Sequence, residues 1–238
     1  MKIVELTAYH IHIPLRRPFH HASHCRSETD NLLVRCVLED RTEGHGEGVP
    51  RDYVTGETID SALGLLRSSD LPAQLEACRD FGHAVALAER LRLRPVPGDD
   101  RDCQGNAARC AVELAVLDAC GRLFGVPLGA VTRLLAPELY DPQPWVRYSG
   151  AIASARGLKA RFLAFGLRFY GFHQVKVKVG MAGHDDPARL RVIRRGVGRA
   201  DLRVDANEAW SAAEAVDRIR ALAPYGITCV EQPVPHAE

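Results

Sequence analysis

The chain has 238 residues, of which 46% are hydrophobic and 26% are charged, and its formal net charge is +1. This length is enough for one large domain or two modest ones. The nearly balanced charge argues against a nucleic-acid partner or an acidic membrane surface. Glu5 and Thr7 interrupt the segment where a secretory signal would be apolar, and no stretch approaches the roughly 18 apolar residues of a membrane span. Seven cysteines without a Cys-x-x-Cys pair favour reduced thiols, so the sequence predicts a cytoplasmic protein.

The first part of the chain predicts an α+β unit over residues 1–135. Apolar and alternating segments predict three short strands in an antiparallel meander, and helical spacing follows them. Pro14, Pro18 and the polar segment 27–30 predict a long loop between the first two strands. The expected strands lie at residues 2–13, 31–39 and 44–49, and the expected helices at 58–68, 73–92 and 105–124.

Residues 143–238 show a different pattern, in which strands alternate with amphipathic helices. Strands are expected to begin near residues 146, 174, 201 and 227, at a nearly constant spacing. The expected helices between them cover residues 154–169, 185–197 and 211–223. One strand, one helix and two loops fill such a step, which is the length of a parallel βα repeat. A full TIM-type barrel has eight such repeats. The sequence therefore predicts an incomplete (β/α) barrel with about four of the eight strands.

Charged residues stand at the ends of three successive predicted strands. Lys176 and Lys178 share one face of the first strand, Asp205 follows Lys178 by 27 residues, and Glu231 follows Asp205 by 26. Taken singly, the lysines are typical of a solvated edge strand, and the acids of a helix cap or a loop entry. Taken together they favour a site at the carboxyl ends of parallel strands, where barrels carry their chemistry. Two carboxylates there supply the hard oxygen ligands that Mg²⁺ prefers.

These motifs resemble those of the enolase superfamily, in the subgroup of muconate lactonizing enzyme and mandelate racemase. The barrel motifs are VKVKVG at 175–180, RVDANEAW at 203–210 and VEQP at 230–233. The first part of the chain resembles that family's capping domain, whose closing helix is similar to residues 107–119. Residues 46–57 and 17–19 resemble its substrate-facing loops. The resemblance covers essentially the whole chain.

The resemblance implies proton abstraction next to a carboxylate group, through an enediolate. The known pattern of this superfamily is a lysine or histidine base with Mg²⁺. Asp205 and Glu231 would hold Mg²⁺, with Mn²⁺ as a substitute, and Asn207 would support them. Lys178 would be the acid/base, while Lys176 assists it electrostatically and helps to lower its pKa. The substrate, a small carboxylate such as a dipeptide, would meet loop residues Arg17, Phe19, Arg51, Tyr53 and Thr55.

Within the superfamily the chain is most similar to dipeptide epimerases of the L-Ala-D/L-Glu type. An o-succinylbenzoate synthase or a muconate cycloisomerase is the alternative, and a non-catalytic remnant or half-barrel binding partner is an alternative of a different class. The family's third metal carboxylate and second lysine correspond to positions after Glu238. We therefore expect a C-terminally truncated chain that is inactive alone, with a homo-oligomer as an option for the full-length form.

Overall fold

In the computed structural model the described residues are 1–20, 25–94 and 105–235. The chain divides into two units. The first comprises Met1–Pro14 with Glu28–Pro142, and the second comprises Leu15–Ser27 with Gln143–Glu238. Within the described ranges, no helix combines the length and the apolar composition that a membrane crossing requires.

The chain opens with a three-stranded sheet. Its strands are β1 (Ile3–His20), β2 (Cys25–Leu38) and β3 (Glu43–Gly48), in the order β1-β2-β3, with β2 and β3 antiparallel. The expected order of the meander is therefore confirmed, but the expected long loop is wrong. Pro14 and Pro18 lie within β1, which is an edge strand. Proline is tolerated on an edge because the hydrogen bond that it cannot donate is not needed on the side that has no neighbouring strand.

Five α-helices follow among the described residues of the first unit. Those at 58–68 and 105–124 were expected, whereas the one expected at 73–92 is two helices. The Asp80 side chain accepts a hydrogen bond from the His83 amide at 2.8 Å and so starts a new helix there. The helices are α1 (Ile59–Ser68), α2 (Leu71–Gln74), α3 (Phe81–Arg90), α4 (Asn106–Phe124) and α5 (Ala130–Leu135), followed by a 3₁₀ turn at Pro137–Leu139.

Strand β3 packs directly on helix α4 through its glycines. Gly44, Gly46 and Gly48 are buried, and a Cβ atom at Gly46 would lie 2.1 Å from the carbonyl oxygen of Ala111. Glycine is therefore required for the two backbones to approach this closely. These residues form a strand packed in the core of the first unit, together with the buried faces of β2 and α4.

The second unit contains a four-stranded parallel sheet in the order β4-β5-β6-β7. Three strands begin where they were expected, but the first begins at Ser149 instead of residue 146. Trp145, Val146 and Tyr148 precede it and are 55%, 80% and 81% exposed, so they have no buried face to hold them in a sheet. The elements are β4 (Ser149–Ile152), α6 (Gly157–Phe169), β5 (Gln174–Lys178), α7 (Asp186–Val197), β6 (Asp201–Asp205), α8 (Ala212–Leu222), a 3₁₀ turn at Ala223–Tyr225, and β7 (Ile227–Glu231).

Alternate residues of the parallel strands form the core of the second unit. Val175, Val177 and Leu202 are fully buried, and they belong to one apolar cluster with Leu190 and Ile193 of α7. Because successive strand residues point to opposite faces, Lys176 and Lys178 lie on the other face of the sheet. This division of β5 into a buried valine face and a charged lysine face agrees with its sequence pattern.

Candidate active site

The parallel sheet brings the charged residues of three strands to one edge. In the strand pairing, Lys178 lies opposite Asp205, and Asp205 lies opposite Glu231. The last residues of β5, β6 and β7 are therefore direct neighbours, which follows from the constant spacing of the repeats. Lys176 is two residues before Lys178 and shares its face of the strand.

A compact ion network joins these side chains. The Lys176 Nζ atom lies 3.1 Å from Asp205 Oδ2 and 3.2 Å from Glu231 Oε2, and the Lys178 Nζ atom lies 3.4 Å from Asp205 Oδ2. Lys178 also donates a hydrogen bond to the side-chain oxygen of Asn207. Asp205 is only 1% exposed. Two ammonium groups and two carboxylates thus balance one another, which is the condition for placing charges in a poorly solvated site.

The carboxylates set the protonation of Lys176. Desolvation lowers the pKa of Lys176, but hydrogen bonds to Asp205 and Glu231 outweigh it and hold this pKa above its ordinary value. From the sequence alone, burial and the repulsion between two lysines are expected to lower the pKa of a lysine. For Lys176 the two neighbouring carboxylates dominate instead, so this lysine stays charged and acts as a fixed cation.

The same network tests whether Asp205 and Glu231 suit a metal cation. The ammonium group of Lys176 bridges one oxygen of each carboxylate, so the two carboxylates already converge on a single positive charge. Glu231 keeps 48% of its side chain exposed, whereas Asp205 is buried. Hard carboxylate oxygens with one side open to water and substrate are the donor set that Mg²⁺ takes. The residues present therefore fit a magnesium ion.

The turns that follow Asp205 and Glu231 have strained backbone. Asn207, Glu208 and Gln232 have φ angles of 48°, 63° and 43°, in the left-handed region. Such angles cost roughly 1–2 kcal/mol for a residue with a Cβ atom. The amide of Asn207 donates to Asp205 Oδ1 at 3.0 Å, and that of Glu208 donates to the Gln232 carbonyl at 2.8 Å. Strain concentrated at strand ends is typical of functional sites.

Arg189 is a buried positioning residue that the sequence analysis missed. Its guanidinium group donates to the carbonyl oxygens of Lys178 at 2.9 Å and Ala153 at 2.7 Å, and to Asp186 at 2.8 Å. It is 4% exposed. It thereby ties the end of β5, which carries Lys178, to the segment after β4. An arginine four residues before Ile193, on the apolar face of α7, was the available signal.

The expected loop residues lie in the first part of the chain. Arg51 donates to the Asp30 carbonyl at 3.0 Å, and the Thr55 amide donates to the Arg51 carbonyl at 2.9 Å, so both belong to a turn that also contains Tyr53. Arg17 and Phe19 belong to strand β1 instead of a loop, and their side chains lie outside the described part of the structure. A substrate role for these five residues remains a prediction.

Comparisons with known proteins show which family of proteins this chain is similar to. The family model described as "Enolase C-terminal domain-like" matches residues 160–238. A hydrophobic dipeptide epimerase of Enterococcus faecalis is 31% identical, and an L-Ala-D/L-Glu epimerase of Bacillus subtilis is 32% identical, each over 98% of this chain. The structure of a dipeptide epimerase from Methylococcus capsulatus, complexed with Mg and the dipeptide L-Arg-D-Lys, superposes with a TM-score of 0.74 at 29% identity over 99% of this chain.

The alignments cover only part of each relative. The chain spans 62% of the E. faecalis protein, 61% of the B. subtilis protein and 62% of the M. capsulatus structure. Within that span the family model, the curated relatives and the solved structure agree with one another, and the relatives are named epimerases and racemases. Over the part of each relative that it covers, the chain is therefore similar to enzymes of the enolase superfamily in the group of mandelate racemase and muconate lactonizing enzyme, and its residues 160–238 match the family model of that superfamily's C-terminal domain.

Proposed function

We propose that this chain supplies the magnesium ligands and one acid/base group of a dipeptide epimerase. The observation that carries the proposal is that Asp205 and Glu231 converge on one positive charge, the ammonium group of Lys176, directly beside Lys178. The relatives named as dipeptide epimerases support the reaction class. In the same proposal, β4 to β7 with their helices are the first half of a (β/α)₈ barrel.

Each residue has a separate task in this proposal. Asp205 and Glu231 hold Mg²⁺, which when bound stabilises the negative charge that develops on the substrate carboxylate. Lys178 takes the proton from the substrate's α-carbon on its side-chain nitrogen and returns a proton to the same carbon. Asn207 accepts a hydrogen bond from Lys178 and so fixes the direction of its side chain. Lys176, held charged by the carboxylates, adds fixed positive charge close to Lys178.

The substrate class proposed is a dipeptide with a free carboxylate. The names of the relatives support dipeptides, and they include hydrophobic dipeptides and L-Ala-Glu. Arg17, Phe19, Arg51, Tyr53 and Thr55 are proposed to meet the substrate.

Epimerisation needs an acid/base group on each face of the α-carbon, because the proton leaves one face and returns to the other. The sequence contains four lysines, and only Lys176 and Lys178 stand on the parallel sheet, both on β5. Two lysines on one strand approach the substrate from the same side. We therefore propose that the isolated 238-residue chain is inactive as an epimerase, in keeping with the expectation from the sequence, and that Lys178 alone exchanges the α-proton with retained configuration.

Incubation of the purified chain with Mg²⁺ and a panel of dipeptides in D₂O tests these statements. Proton NMR follows loss of the α-proton signal, and chiral chromatography follows epimer formation. The expected result is Mg²⁺-dependent exchange with retained configuration, abolished in Lys178→Ala. Epimer formation by this chain would contradict the one-sided site, and exchange that survives in Lys178→Ala would contradict Lys178 as the base. No exchange with any dipeptide would contradict the substrate class.

A further inference from the structure

A second cluster of potential metal ligands lies in the first unit, on strands β1 and β2. His10 and His12 are two residues apart on β1, so their side chains share one face of the strand. Asp30 of β2 faces both of them. Its Oδ1 atom is 2.5 Å from His10 Nε2 and 3.1 Å from His12 Nδ1. The remaining nitrogen of His12 lies 3.3 Å from Glu28 Oε2. Two imidazoles and one carboxylate oxygen thus converge, within 4.8 Å of one another.

We propose that His10, His12 and Asp30 bind a transition-metal cation, with Zn²⁺ as the favoured ion and Glu28 beside the remaining nitrogen of His12. Imidazole nitrogens with a carboxylate oxygen suit Zn²⁺, Ni²⁺ and Cu²⁺, whereas Mg²⁺ prefers oxygen ligands alone. The chemistry of this site therefore differs from that of Asp205 and Glu231. This proposal does not depend on the proposed function.

The positions of the side chains allow an ion to enter with little change of structure. His10, His12 and Asp30 keep 42%, 51% and 39% of their side chains exposed. They can therefore rotate without disturbing the core. For Zn–N and Zn–O distances of about 2.0–2.2 Å, the three side chains need only rotate so that their ligand atoms point to a common centre. The backbone of the two strands already supplies the spacing.

The charge of the cluster favours a cation. The hydrogen bond to Asp30 is the main cause of the raised pKa of His12, and the charge of Glu28 adds to it. The two imidazoles in turn lower the pKa of Asp30. Two carboxylates beside two imidazoles therefore form a site that attracts positive charge, whether a proton or a metal ion.

A bound ion would link two strands and, through Asp30 and Arg51, would also be connected to the turn that follows β3. It would cross-link β1 through His10 and His12 to β2 through Asp30. The carbonyl of Asp30 accepts a hydrogen bond from Arg51, which also donates to Thr29. The ion would thus stabilise the contact of β1 with β2 and the hydrogen bonds that Arg51 makes to Asp30 and Thr29.

Isothermal titration of the untagged chain with ZnCl₂, under saturating Mg²⁺, tests the proposal. Mg²⁺ occupies the carboxylate site, and the Co²⁺ absorption spectrum reveals whether the exposed thiols of Cys110 and Cys229 bind metal instead. The matched control is His45→Gln, because His45 is an exposed histidine of the same sheet outside the cluster.

The wild-type chain and His45→Gln should each bind one Zn²⁺ with equal affinity, and His10→Gln and His12→Gln should each weaken binding by about tenfold or more. The Co²⁺ complex should lack a thiolate charge-transfer band. Since both histidines are exposed, circular dichroism should show that the variants fold. Zn²⁺ affinity that is unchanged in both variants, a thiolate band, or no micromolar binding by the wild-type chain would overturn the proposal.

Discussion

Replacement of Asp205 by asparagine is expected to destabilise the second unit. The substitution keeps the shape of the side chain but removes the charge that Lys176 and Lys178 contact at 3.1 and 3.4 Å. Hydrogen bonds to charged groups contribute about 1.5–3 kcal/mol each, and loss of one partner of a fully buried pair costs about 3–5 kcal/mol. Here the lysines are 33% and 17% exposed, and Glu231 still pairs with Lys176. Screening by solvent therefore puts the expected loss near 2 kcal/mol.

Tryptophan fluorescence during thermal or urea unfolding measures this loss. Both tryptophans of the chain, Trp145 and Trp210, belong to the second unit, and Trp210 is 5% exposed, so the signal reports on that unit. A loss of about 2 kcal/mol corresponds to a fall in Tm of roughly 4–8 °C for a chain of this size. The control is Asp201→Asn, at the opposite end of the same strand, where the carboxylate accepts from Thr228. That variant should lose less than about 1 kcal/mol, because the amide can accept the same hydrogen bond.

Addition of Mg²⁺ gives the experiment a second readout. At a concentration of about 100 times its Kd, Mg²⁺ should stabilise the wild-type chain by about 2.7 kcal/mol. Asp205→Asn, whose cation affinity is expected to fall by about tenfold or more, should gain about 1.4 kcal/mol or less. Equal losses in the two variants, or an Asp205→Asn chain as stable as the wild type, would refute the inference that Asp205 neutralises the lysine pair. Stabilisation of Asp205→Asn by Mg²⁺ to the full extent would refute its role as a metal ligand.

Three further predictions concern packing and exposed surface. Gly46→Ala should destabilise the first unit by about 3 kcal/mol or more, because the new Cβ atom would lie 2.1 Å from a carbonyl oxygen of α4. Gly64→Ala, in α1, should instead stabilise the unit by about 0.5–1 kcal/mol, because the space around this glycine is open. Calorimetry measures both changes. Glu57→Gln should lower the free energy of unfolding, measured with urea, by about 1–2 kcal/mol, because the buried Glu57 carboxylate accepts hydrogen bonds from the Ala107 amide at 3.1 and 3.2 Å at the N-terminus of α4. A stability equal to that of the wild type would argue against this contact. Phe162 and Phe169 of α6 are 73% and 88% exposed, so their joint replacement by glutamine should reduce self-association in sedimentation velocity, while the free energy of unfolding stays within about 0.5 kcal/mol of the wild-type value. Unchanged association would show that this surface does not mediate it.

The position of Lys178, Asp205 and Glu231 could be predicted because two simple rules apply to them. Parallel βα repeats of constant length place equivalent strand residues side by side, and alternation along β5 separates the valines from the lysines. These rules depend only on local spacing. The pairings of Lys178 with Asp205 and of Asp205 with Glu231 are their direct consequence.

Features that depend on tertiary contacts could not be predicted in this way. Proline usually indicates a loop, yet Pro14 and Pro18 fit β1 because the order of the sheet makes it an edge strand. The raised pKa of Lys176 depends on the distances to two carboxylates on other strands. The spacing along α7 places Arg189 on the apolar face, but the carbonyl oxygens that bind its guanidinium group belong to other elements and could not be predicted from that spacing.

The central claim is that Asp205 and Glu231 together hold a divalent cation beside Lys178, and Mn²⁺ binding followed by electron paramagnetic resonance tests it most directly. Mn²⁺ accepts the same oxygen ligands as Mg²⁺ and has a signal that falls on binding. We expect one Mn²⁺ per chain that Mg²⁺ displaces, with affinity reduced by about tenfold or more in both Asp205→Asn and Glu231→Gln but unchanged in His12→Gln. Displaceable binding of equal affinity in the wild type and in both carboxylate variants would contradict the claim.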